Sequence, residues 1–245
     1  MIVDQQFDRL WKIIGHQSYS IFAREEIQKV WQSIARLESH SREFRSALEL
    51  FNFSRGSNFL TNKKLSRNFS AAIHDFYSPV NDVLTREHDE LLSQSMLYTS
   101  WMHIAAREGA MVIFHYFKRR ENISQSIGSC VQLNKNKLRP YLKKSNEMLN
   151  RSFPSWMAIR HNVAHRVELE KVDFHRIKGP IKFGQATLGD AHGTMLISGS
   201  LAGNTYSATY NGKLHSYGIS NDSLHVLISA QELLKEGVIA ACSVD

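Results

Sequence analysis

The sequence predicts a mainly α protein, a helical bundle with a small β insertion before its last helix. Two patterns carry that prediction. From residue 4 to about residue 168, apolar side chains recur at helical spacing in one segment after another. After Lys171 the pattern changes to short strand-like runs. Two of them flank Asn211-Gly212, the pair that best supplies the positive φ angles of a type I′ hairpin turn. The chain is read as one domain, 1–245, with 178–219 as the insertion.

The elements follow in order. Residues 4–14 form a short helix ending at Gly15, and a longer one runs from about 20 to 37. Phe44, Leu48 and Phe51 extend it after a break. Residues 53–66, with Ser54, Gly56, Ser57 and two asparagines, read as a loop, and 67–76 as a modest helix stopped before Pro79. The main core helix is expected over 88–119, with Leu92, Met96, Trp101, Ile104, Ala105, Val112 and Tyr116 on its apolar face. Gly109 interrupts it, at a cost of about 1 kcal/mol relative to Ala unless another backbone packs closely there. A short helix at 122–131 and a basic helix at 138–151 follow. The next helix starts at Pro154, a residue suited to a first helical position, buries Trp156, Ile159, Val163 and Val167, and ends near Glu168. Gly179-Pro180 and Gly184 read as loops, and 194–201 as a short strand. Residues 205–210 and 213–218 form the hairpin. Ser220, Asn221, Asp222 and Ser223 offer N-caps to a final helix over 222–236, with Gly237 as its stop.

Composition narrows the function. Hydrophobic residues make up 42% of the chain, ordinary for a soluble domain. The longest apolar run, Gly109 to Phe114, falls far short of the roughly 20 residues that span a bilayer, so no membrane partner is expected. The N-terminal stretch has neither the basic nor the apolar region of a signal peptide. The two cysteines, Cys130 and Cys242, make neither a disulfide framework nor a zinc set. Both features point to the cytoplasm.

The formal net charge is +7, and it is concentrated. Between Lys118 and Lys144 stand eight basic residues and one acid, Glu121, so the remainder of the chain is neutral in sum. Such a segment is either a solvated surface or a track for a polyanion. Lys118, Arg119, Arg120, Lys143 and Lys144 are the candidate RNA contacts. Phe117 and Tyr141 nearby suit either base stacking or core packing.

The helix after Pro154 carries Arg160-His161-Asn162-Val163-Ala164-His165. At about 100° per residue, His165 points almost directly away from the apolar stripe, with Arg160 beside it. This run resembles the Arg–polar–x3–His signature of the HEPN superfamily, small helical proteins that include many metal-independent ribonucleases. Arg9/His16 and Arg67/His74 have similar spacing, but Arg9 precedes Leu10 and Arg67 lies before the longest helix. A second segment, Ala105 to Phe117, resembles the second core helix of abortive-infection-like HEPN proteins.

The resemblance implies a HEPN-like bundle and an endoribonuclease that needs no metal or cofactor. It implies catalysis by Arg160 and His165, with His161 or Asn162 orienting them, at a site shared across a homodimer. Glu108 and His115, seven apart on one helix face, become candidates to line the cleft, with Glu108 holding Arg160 or Arg107. It also implies a toxin or antiviral effector with a protective antitoxin, such as a nucleotidyltransferase.

The chemistry suits the residue types. RNA carries its own nucleophile, and histidine can serve as base or acid at neutral pH. Arginine presents a planar fork to phosphate oxygens. Two other functions fit the same residues. One is a non-catalytic HEPN module that binds RNA, nucleotide or protein. The other is a helical metalloenzyme holding zinc or iron through His161 and His165, four apart, with His175 or His192 as a third ligand.

Overall fold

The structure is a computed structural model that describes residues 5–16, 19–74, 81–164, 177–183, 186–193, 199–210 and 213–242. Within these, it describes side chains except at 16, 71–74, 81–85, 162, 164, 177–183 and 186–193. It is mainly helical, with a small three-stranded antiparallel sheet before the last helix.

Helix α1 spans Gln5–His16 and α2 spans Ile21–Ala35, the latter capped by Ser20, whose hydroxyl accepts from the Ala23 N–H at 3.2 Å. A single turn residue, Arg36, separates α2 from α3, Leu37–His74. The loop expected over 53–66 is helix throughout, continuous with the helix expected at 67–76. Several of its polar side chains find partners without leaving helical geometry. Ser66 and Ser70 donate to carbonyls one turn back, and Asn58 and Asn62 accept from Ser95 on the neighbouring helix. Packing against a neighbour overrides the weak propensities of Gly56 and the asparagines.

That neighbour is α4, Asn81–Ser129. It joins the helices expected at 88–119 and 122–131, because Tyr116, Arg120, Ile123 and Ile127 continue one buried stripe. The stripe at the helix's other end differs from expectation. Leu92, Met96 and Ile104 are exposed, and Leu91, Ser95, Tyr98 and Met102 lie towards α3 instead. A two-helix hairpin has one seam, and the broad apolar face read from the sequence cannot all fit into it.

Asn134 caps α5, Lys135–Ser152, by accepting from the Asn136 and Lys137 N–H groups at 3.1 and 3.3 Å. Helix α6 covers Trp156–Ala164 among the described residues. Strands β1, Ile177–Phe183, and β2, Ala186–Gly193, pair antiparallel, where Gly179-Pro180 had suggested a loop. Pro180 stands at a register shift, a place where a missing ladder donor is tolerated. The second sheet runs β3 (Ser200–Ala202), β4 (Thr205–Tyr210), β5 (Lys213–Gly218), with Tyr210 opposite Lys213 as a two-residue connection requires. Asn211 and Gly212 themselves lie outside the described residues, as does most of the strand expected at 194–201.

The last helix, α7, runs Asn221–Cys242 and does not stop at Gly237. Gly237 is buried, and a Cβ there would lie 2.7 Å from Leu138 and 2.8 Å from the Tyr141 Cβ. The glycine lets α5 and α7 approach. Gly109 plays a similar part in α4, where a Cβ would meet the Tyr217 hydroxyl at 2.8 Å. That hydroxyl donates to the Ala106 carbonyl and ties β5 to α4.

The core gathers Phe44 and Phe51 of α3, Tyr116 of α4, Leu138 of α5 and Leu227 and Leu234 of α7. Tyr116 donates to the Leu227 carbonyl at 2.7 Å, and Ser145 to the Ala230 carbonyl at 3.1 Å. Cys130 and Cys242 are free and buried, and burial pushes both thiols up, Cys242 to about 12. Among the described residues no helix is long and apolar enough to cross a membrane.

Candidate active site

Helix α6 is seated by aromatic contacts. The chain leaves α5 at Phe153, which is buried and meets Phe117 of α4 edge to face at 6.4 Å. Pro154 and Ser155 turn it, and the Ser155 carbonyl takes the Ile159 N–H at 3.0 Å. Trp156 then stacks on Phe117, with centroids 4.6 Å apart and planes 13° apart, and Ile159 is buried one turn later. These contacts fix the rotation of α6 and hence where residues 160 and 161 project.

Arg160 lies with its guanidinium 4.8 Å from the Phe114 ring centroid, a cation–π contact to α4. His161 turns the other way and stacks on Tyr210 of β4, centroids 5.1 Å apart and planes 11° apart. The hairpin supplies the opposite wall. Alternation along β5 puts Lys213, His215 and Tyr217 on one face. Tyr217 is buried against α4, so this face looks into the bundle, and Lys213 and His215 extend it over α6.

The result is an open groove of about 550 Å³ between the start of α6 and the β4–β5 hairpin. His161, Tyr210, Lys213, His215, Ser155 and Trp156 are among its lining residues. The Tyr210 ring has His161 on one side and His215 at 6.5 Å on another. The His215 Nδ1 is hydrogen-bonded to the Ser155 hydroxyl at 3.0 Å. Burial holds the His215 imidazole below its ordinary value, a contact with the Tyr210 backbone opposes this, and the Lys213 charge adds to the lowering. The environment therefore favours the neutral ring. Lys118 lies 5.7 Å above the Trp156 ring and brings a second cation to this edge.

The expected site residues divide. His161 is in the groove, and Arg160 is beside it on Phe114. His165 lies outside the described residues, as does the Asn162 side chain. His115 is exposed and stacks on His40 of α3 at 6.2 Å. Glu108 is exposed, and among the described residues no ion pair joins it to Arg107 or Arg160. Lys118 is paired with Glu121 at 2.8 Å and Lys143 with Glu147 at 3.8 Å, both at the surface, and Lys144 is exposed. Arg119 is half-buried. Arg120 is buried and donates to the Leu142 carbonyl at 3.3 Å, so it joins α4 to α5 and does not face a ligand. The third ligands considered for a metal, His175 and His192, lie outside the described residues or have side chains that do.

Ser155, Tyr210, Lys213 and His215 are absent from the sequence-based site. The signal was present in the hairpin, where Tyr210, Lys213 and His215 crowd around Asn211-Gly212. Nothing in spacing says that this hairpin folds back on the motif helix. No family model, no curated protein and no solved structure matches the chain.

Proposed function

We propose that the protein is a metal-independent endoribonuclease of HEPN type, acting at the groove between α6 and the β4–β5 hairpin. The observation that supports it is the meeting of His161, His215 and Lys213 in one open groove. One histidine takes the proton from a ribose 2′-OH, whose oxygen attacks the adjacent phosphorus. The P–O5′ bond breaks, and the other histidine, protonated, delivers a proton to the leaving oxygen. The products are a 2′,3′-cyclic phosphate and a free 5′-OH. Neutral His215, with its lowered pKa, suits the base. Lys213 stabilises the charge on the phosphorane. The motif implies phosphate contact by Arg160 and proton transfer by His165; in this groove both proton transfers fall to His161 and His215. In this reading the acid–base pair is complete in one chain, and the second copy that the motif implies is not needed to supply it.

The test is digestion of end-labelled RNA with and without EDTA. Cleavage is expected to survive the chelator and to leave cyclic phosphate ends. His161→Ala and His215→Ala are each expected to lose about 10²–10⁴-fold in rate. Full cleavage by both folded variants would remove the groove from the mechanism. A second reading, a HEPN module that binds RNA without cutting it, is favoured by the position of Arg160 on Phe114, off the groove. Salt-sensitive RNA binding with no product from the wild type would select it.

A further inference from the structure

Beyond the core, α3 and α4 run on side by side as an arm, residues 52–74 and 81–104. Its polarity is inverted. Ser54 and Thr61 are buried, and the seam is joined by Ser95 donating to Asn58 at 2.8 Å and to Asn62 at 3.0 Å. Outside, Phe53 is 58% exposed, Leu60 60%, Leu97 47% and Ile104 50%.

We propose that the arm is a dimerisation surface and that its occupant is the arm of a second copy, the four helices bundling about a two-fold axis parallel to the arm. Three observations carry this.

The first is that Phe53, Leu60, Leu97 and Ile104 share one side, the side that also carries the charges described below; Phe59, Phe69, Leu92 and Met96, exposed as well, turn to the other. Leu60 follows Phe53 by seven residues and Ile104 follows Leu97 by seven, two turns in each case, so each pair shares a helix face. Phe53 touches Tyr98 and Trp101, at 6.3 and 6.4 Å between centroids, and Trp101 is one turn from Leu97. The Ser95 bonds to Asn58 and Asn62 set Leu60 level with Leu97.

The second is charge. Residues 52–74 carry four basic side chains and no acid, whereas 81–104 carry four acids and one arginine. Lys63, Lys64, Arg67, Glu87, Asp89 and Glu90 are all exposed, and among the described residues none of them is in an ion pair. Lys64 and Arg67 share the face of Leu60, and Glu90 that of Leu97. A two-fold axis along the arm turns α3 of one copy against α4 of the other at the same height. Leu60 then meets Leu97, and Lys64 and Arg67 meet Glu90. The surface is complementary to itself, which a foreign partner would not require.

The third is area. Half-exposed side chains of this size leave on the order of 100 Å² each, so Phe53, Leu60, Leu97, Trp101 and Ile104 offer roughly 500 Å² of apolar surface. A standard interface uses about 800 Å² per partner, a little over half of it apolar.

The experiment is sedimentation velocity on the full chain from about 1 to 100 µM, a range that brackets dissociation constants for interfaces of this size. A dimer is expected. Leu60→Asp with Leu97→Asp is expected to raise the dissociation constant at least about tenfold and to leave the melting point unchanged at dilutions where both proteins are monomeric, since both side chains are exposed in the single chain. Lys64→Glu with Arg67→Glu is expected to give a monomer, as is Glu87→Lys with Glu90→Lys. Mixing those two reversed chains is expected to restore a heterodimer. A wild type that is monomeric throughout, whether the arm holds another protein or nothing, overturns the proposal. So does a dimer indifferent to the aspartate pair, or a mixture that stays monomeric.

Discussion

The two ends of α4 live in opposite environments. At the α6 end, Phe114, Phe117 and Trp156 cluster, and histidines and a lysine line the groove beyond them. At the arm end of the same helix, Ser95 and Thr99 turn inward to asparagines while Leu97 and Ile104 turn out. Both ends bury some apolar surface, but at the arm end little beyond Leu91 and the Phe53–Tyr98–Trp101 cluster is covered within one chain. The difference teaches that helical periodicity reports which side chains share a face and not whether that face is covered. Coverage depends on how many neighbours the fold brings; among the described residues there are several around residues 105–127 and chiefly α3 around residues 86–98.

The contrast is open to measurement by urea unfolding. Phe153→Ala empties a core position against Phe117 and is expected to cost about 3–5 kcal/mol, while Phe59→Ala on the outer face of the arm should cost under about 1 kcal/mol. Equal losses would erase the distinction between the two ends. Glycines give a sharper version, because the signs should differ. Gly237→Ala forces α5 and α7 apart and should destabilise by about 1–3 kcal/mol. Gly56→Ala, with nothing within 4 Å of its would-be Cβ, should stabilise the arm by up to about 1 kcal/mol through helix propensity. A stabilising Gly237→Ala would show that the α5–α7 contact is loose.

The smallest effect is a pH dependence confined to the groove. Burial lowers the His215 pKa below its ordinary 6.5, so on acidification the unfolded chain takes up that proton first. The contribution of the neutral ring is present above about pH 6.5 and is lost as pH falls through that value towards the lowered folded pKa. His215→Gln lacks this term. The gap in melting temperature between wild type and His215→Gln should therefore narrow from pH 7 to pH 5, and a widening gap would show that the folded ring prefers its proton.

Much of the architecture was legible in the sequence. The strands at 205–210 and 213–218 match expectation, because an Asn-Gly turn is a local signal. The long α3 was not legible, because Ser54, Gly56, Asn58 and Asn62 look like loop residues, and the Ser95 hydroxyl that holds Asn58 and Asn62 in place comes from α4. Gly237 read as a stop because its neighbours Leu138 and Tyr141 are about a hundred residues away. The site divides along the same line. His161 could be found from a motif within one helix, but His215 could not, since its place opposite His161 is set by tertiary packing of the hairpin.

The two cysteines have a use that their inertness creates. Cys130 sits just past the end of α4 and Cys242 at the end of α7, each buried and each with its thiol held protonated. Thiolate is the form that alkylating reagents attack. In the folded chain both sulfurs are thus silent, and modification must wait for the structure around them to open. The rate of labelling then becomes a clock for opening events, read at two markers in the body of the protein. Fraying of the arm, which contains no cysteine, would pass unrecorded, so labelling and hydrogen exchange together separate the breathing of the arm from that of the core.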